Sequence, residues 1–85
     1  MKIKTLKKTC LACPSQWEGK LDDSSPIYIR YRWGYLSISI GERGKGIDSA
    51  INGTEIFGKQ IGDSLDGKIE LKKVLKLSKL EYENH

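Results

Sequence analysis

Ile27-Tyr28-Ile29-Arg30-Tyr31-Arg32-Trp33-Gly34-Tyr35-Leu36-Ser37-Ile38-Ser39-Ile40 reads as a β-hairpin. Its residues are β-branched or aromatic in alternation, and a single glycine interrupts the run at its middle. With Trp33-Gly34 as the turn and Gly34 supplying positive φ, the cross-strand pairs are 32/35, 31/36, 30/37, 29/38, 28/39 and 27/40. Alternate pairs share a face of the pleat. One face is then Tyr31/Leu36, Ile29/Ile38 and Ile27/Ile40, apolar apart from one phenol. The other is Arg32/Tyr35, Arg30/Ser37 and Tyr28/Ser39, polar or amphipathic throughout. A slip of one residue mixes the two sets, so burial of one face selects this register.

The same logic extends upstream. Ser15-Gln16-Trp17-Glu18-Gly19-Lys20-Leu21 alternates, and Asp22-Asp23-Ser24-Ser25-Pro26 is turn chemistry. Taking those five residues as the connection pairs Leu21 with Ile27, Gly19 with Ile29 and Trp17 with Tyr31 on the apolar face. The opposite face then places Lys20 by Tyr28, Glu18 by Arg30 and Gln16 by Arg32. A connection of four residues puts Glu18 against Ile29 in the core, which burial disfavours.

Downstream, Gly41-Glu42-Arg43-Gly44-Lys45-Gly46 is a loop whose spacing does not fit a Walker A phosphate loop. Asp48 to Gly53 predicts one helical turn closed by glycine, Thr54 to Gly58 a short strand, and Gly62 to Gly67 a loop. Leu71, Val74 and Leu75 share the helical period, which predicts an amphipathic helix over 69–78 covering the apolar sheet face. The expected fold is therefore α+β: a three-stranded antiparallel meander over 15–21, 27–32 and 35–40, a short strand near 54–58, and one C-terminal helix. Residues 1–12 read as a basic N-terminal arm, 13–80 as the single domain and 81–85 as a frayed tail.

The chain of 85 residues has 15 basic and 11 acidic side chains, a formal charge of +4. Lys2, Lys4, Lys7 and Lys8 supply all of that surplus, because the remaining 11 basic residues balance the 11 acidic ones. A lysine arm of this kind is either a solvated terminus or a segment that follows phosphates. No apolar run approaches the roughly twenty residues of a membrane span. The arm lacks the apolar core of a secretory signal, which leads to a cytoplasmic expectation with no membrane partner.

Cys10 and Cys13 form a lone C-x-x-C with no second ligand pair and a single histidine, His85. The readings are two ordinary reduced thiols, a zinc half-site completed by a second chain, or a redox pair. No complete metal site and no cofactor is expected. Catalysis is disfavoured for the same reason: no Ser–His, Cys–His or metal cluster is visible.

The polar hairpin face carries the functional expectation. Arginine is scarce here, with twelve lysines and only Arg30, Arg32 and Arg43. Its planar fork suits bidentate phosphate or carboxylate contacts and stacking on rings. The candidate ligand-binding residues are Tyr28, Arg30, Arg32 and Tyr35, with Gln16 and Glu18 beside them on the face and Arg43 reaching in from the loop.

Trp17-Glu18-Gly19 followed by Tyr28-x-Arg30-Tyr31-Arg32-Trp33-Gly34 resembles a pattern in small uncharacterised proteins of bacteria and their phages. There a C-P-S-Q-W-E-G segment precedes an acidic turn and a Y-x-R-Y-R-x-G hairpin. The resemblance covers Cys13 to Ile40, with a looser echo from Asp66 to Ser78; this chain has Asp23-Ser24 where the pattern has D-G. It brings no activity or cofactor. It implies a phage-related origin, in which capture of a host nucleotide or blockade of a host defence protein fits. The expected function is a non-enzymatic module that binds an anionic partner, a nucleotide-like ligand or nucleic acid. The alternative is a protein-interaction or inhibitor module acting on a host protein, with assembly into a homo-oligomer as one route.

Overall fold

The computed structural model describes residues 2–10, 15–62 and 69–82. Its elements run β1 (Lys2–Cys10), β2 (Ser15–Leu21), β3 (Pro26–Arg32), β4 (Tyr35–Ile40), α1 (Ile47–Ile51), β5 (Thr54–Gln60), α2 (Leu71–Ser78) and β6 (Glu81–Tyr82). The strands form one sheet in the order β5-β4-β3-β2-β1-β6, antiparallel except where β6 lies parallel to β1.

The central hairpin has the expected register, from Arg32↔Tyr35 to Ile27↔Ile40. Both turn residues have positive φ, Trp33 at 55° and Gly34 at 73°, as the tight hairpin turn requires. The β2–β3 register differs from the expectation by two residues: Trp17 faces Ile29, Gly19 faces Ile27, Gln16 faces Arg30 and Glu18 faces Tyr28. The cause is a tighter turn, in which Leu21 N–H donates to Ser25 O and Ser24 N–H donates to Leu21 O. A shift of two leaves every side chain on its expected face, because the pleat repeats every two residues.

The meander expectation is too small. The segment expected as a basic arm is β1, hydrogen-bonded between β2 and β6. Its apolar residues Ile3 and Leu6 are three apart, which an unbroken strand would put on opposite faces. A register shift between Ile3 and Thr5 removes the conflict, leaving Ile3 opposite Leu21 and Leu6 opposite Gly19. The short strand is longer than expected and pairs fully along β4. The helix starts at Leu71 rather than 69 and is followed by β6, so it does not end the fold. Glu81 and Tyr82, expected as tail, pair with Lys2 and Ile3. The expectations for Cys13, for the Cys10 thiol, for most of 62–67 and for 83–85 lie outside the described residues.

One sheet face is the core. Ile3, Trp17, Leu21, Ile27, Ile29, Tyr31, Leu36 and Ile38 are buried there with Val74 of α2. Leu71, Leu75 and Leu77 pack around Val74, and Ile69 N–H donates to Ser15 Oγ at 3.3 Å, tying the entry of α2 to β2. Full burial of each aliphatic side chain is worth about 1.5–3 kcal/mol. The helix ends at Lys79, whose left-handed φ of 62° closes it without a glycine. No helix among the described residues is long and apolar enough to cross a membrane.

Candidate functional site

The opposite sheet face is covered at its Gly41 end by α1, where a Cβ on Gly41 would meet Ser49 and Ala50, and is open toward the Trp33 turn. Cross-strand neighbours run in rows along it: Gln16, Arg30 and Ser37 in one, Glu18, Tyr28 and Ser39 in the next, Arg32, Tyr35 and Gln60 in a third. Six of the seven expected site residues, Gln16, Glu18, Tyr28, Arg30, Arg32 and Tyr35, therefore lie together on this face. Arg43 is not at the turn end of this face. It lies in the loop after Ile40 and its charge acts on Asp23, at the Pro26 end of the hairpin. That is about 20 Å from the Trp33 turn along a strand of this length.

At the turn end, the face dips into a depression of about 350 Å³ lined by Arg30, Arg32, Trp33, Tyr35, Ser37 and Gln60. Three of these, Trp33, Ser37 and Gln60, are beyond the expected set, whereas Tyr28, Gln16 and Glu18 lie on the face outside the depression. Ser37 was legible from the hairpin parity. Trp33 was legible as an aromatic in a turn position, a place that rarely hides a ring. Gln60 had no local signal, because only the β4–β5 pairing brings it to Tyr35.

Each wall has a structural cause. The Arg32 guanidinium stacks on the Trp33 indole, 4.1 Å from the ring centroid. The ring itself is 62% exposed. Gln60 holds the turn from the far side, its Nε2 donating to both Trp33 O and Gly62 O at 2.8 Å. Ile61 and Gly62 N–H groups both donate to Gly34 O. A bulky residue with positive φ persists only where surrounding bonds over-determine it, and the three that reach Trp33 O and Gly34 O do.

Tyr35 lies across β5. Its hydroxyl donates to Glu55 Oε2 at 3.3 Å, passing over Gly58, where a Cβ would collide with the phenol oxygen. Glycine at 58 is therefore the space that the ring needs. Desolvation against the sheet, and after it the neighbouring Glu55 carboxylate, raise the phenol above its ordinary 10.0. At neutral pH Tyr35 is thus a fixed hydrogen-bond donor.

Arg30 supplies the strongest asymmetry. Its Nε is buried with no hydrogen-bond partner among the described residues. A buried donor left unsatisfied costs on the order of 1–3 kcal/mol, and more when charged. That Nε is closed to solvent, so an anion in the depression would meet the outer nitrogens of the Arg30 guanidinium. Among the described residues, no group of three or more His, Cys, Asp or Glu is placed to hold a metal ion. The arrangement can therefore bind an anion and stack a ring. No protein family, no curated protein and no solved structure matches this chain, and the functional reading rests on the geometry of this face.

Proposed function

We propose that this chain is a non-enzymatic binding module of the cytoplasm, phage-related in origin, that recognises an anionic partner of nucleotide-like or nucleic-acid chemistry through the Arg30/Arg32/Tyr35 face. The observation that carries it is the stacked Arg32–Trp33 pair lining one depression together with Arg30 and Tyr35. Arginine and aromatic rings side by side bind phosphates and bases in sequence-tolerant fashion. The strand β1 changes the electrostatic argument. Its lysines are carried on a strand of the sheet rather than on a loose arm, with Lys8 Nζ 5.7 Å from the Trp17 ring.

The test is native mass spectrometry of the protein after exposure to cell extract, with the double variant Arg30→Ala/Arg32→Ala in parallel. Retention of an anionic ligand by the parent protein and its loss in the variant are expected. Equal retention by both ends the proposal.

A second reading has its own observation. The strand β5 is a sheet edge, seven residues long and almost wholly exposed, including Ile56. Such an edge accepts a strand from a partner protein or from a second copy. Its register shift opposite Ile38/Ser39 blunts the edge, which favours the first reading.

A further inference from the structure

We infer that the depression at the Trp33 turn takes a single nucleotide unit whose base carries an exocyclic amino group, with the base on the open face of the indole and the phosphate on Arg30. This rests on the anionic-ligand reading above and narrows it.

Three observations select one unit over a continuous strand. First, a volume of about 350 Å³ lies at the low end of small-molecule sites, roughly 300–1,000 Å³. Second, the charge on this face alternates in sign: Glu18 stands between Arg30 and the lysines Lys7 and Lys20. The row below Arg30 contains Tyr28 with Glu18 directly opposite, and Glu55 lies beside Tyr35. A second and third phosphate laid along this path would meet the Glu18 and Glu55 carboxylates before any further lysine. Third, Arg32 occupies one face of the Trp33 ring, and the exposure of the indole leaves the other to receive one base. Stacking of one base on an aromatic side chain is sequence-tolerant by itself.

Gln60 adds the choice of base. Both carbonyls that it touches, Trp33 O and Gly62 O, are acceptors, so the amide nitrogen must face them and its N–H groups are used. What Gln60 offers a ligand in the depression is Oε1, an acceptor only. Cytosine, adenine and guanine present an amino donor; uracil and thymine present a carbonyl in its place. A site built around an acceptor disfavours the carbonyl analogue, because two acceptors then face each other.

The test uses the intact chain and follows Trp33 fluorescence, since Trp17 is buried, with calorimetry for stoichiometry. The probes are cytidine 5′-monophosphate, uridine 5′-monophosphate, cytidine, inorganic phosphate, a linear 5′-phosphorylated oligocytidylate and a closed single-stranded circle of the same base. Cytidine 5′-monophosphate is expected to bind one per chain, at least ten-fold tighter than cytidine or phosphate. It is expected to bind about five- to ten-fold tighter than its uridine counterpart, a margin that Gln60→Ala abolishes. The linear oligomer either matches the mononucleotide, which marks strand ends as the source, or binds more weakly, which marks free nucleotides. A circle that binds each site as tightly as the mononucleotide overturns the single-unit inference and leaves the parent reading standing. Equal binding of the cytidine and uridine nucleotides overturns the base assignment. If no probe binds, or if Arg30→Gln/Arg32→Gln binds as the parent does while keeping its melting temperature, both fail.

Discussion

Replacing Trp33 with Asn separates the two effects of this residue. The left-handed backbone at φ 55° costs an L-residue about 1–2 kcal/mol, and Asn tolerates it far better than Trp. Against that gain stands the lost stack on Arg32, worth about 0.5–1 kcal/mol at an exposed site. Little burial is lost with a ring that is 62% exposed. The bonds from Gln60, Ile61 and Gly62 reach backbone carbonyls of the turn and survive the change. The net expectation for Trp33→Asn is a stability equal to the parent or higher by up to about 1 kcal/mol. In a domain of this size, that is a rise of up to about 4–8 °C in Tm. Trp33→Ala keeps most of the backbone cost and loses the stack, so it falls by about 0.5–1 kcal/mol. Both variants lose ligand binding, so the more stable protein is the inactive one. Thermal and urea unfolding followed by far-UV circular dichroism reads the order. A Trp33→Asn protein that melts at or below Trp33→Ala refutes the claim that this turn stores backbone strain for display of the ring.

Three further outcomes are expected. Gly58→Ala places a methyl against the Tyr35 hydroxyl, so the phenol swings away from the sheet and from Glu55; ultraviolet titration then shows its pKa falling toward 10.0, with weaker ligand binding and little change in Tm. Ile38→Ala empties a fully buried position opposite Ile29 and costs about 2–5 kcal/mol in urea unfolding, without altering the exposed face of any surviving fold. The Asp23 carboxylate accepts from Ser25 N–H at 2.9 Å, and this bond holds its pKa below 3.8. A depressed carboxylate stabilises the fold above its unfolded pKa and loses that contribution as pH falls through the folded value. Asp23→Ala therefore flattens the acid limb of a stability–pH curve below about pH 4, and an unchanged limb would falsify the assignment.

The legible part of this fold is the part in which alternation is unbroken. From Ile27 to Ile40 every second side chain is apolar, and burial of that set left one register and one polar face. Even the two-residue error between β2 and β3 moved no side chain to the wrong face, because face depends on parity and register on turn geometry. Tyr28, Arg30, Arg32 and Tyr35 were therefore placed together without any tertiary information. In β1 the alternation is broken by a bulge, and four lysines hide Ile3 and Leu6, so a strand reads as an arm.

What local pattern cannot carry is any contact made across the chain. Gln60 reaches the Trp33 turn from 27 residues away, and Tyr82 reaches the carbonyl of Leu6 from 76. Arg43 was expected to reach in from its loop, but that loop lies at the Pro26 end of the hairpin, away from the Trp33 turn. The composition and pleat of residues 15–40 determined which side chains share a surface. The pairing of β5 on β4 decided where on that surface a depression forms, because there a second strand holds the tryptophan turn in a conformation that its own sequence disfavours.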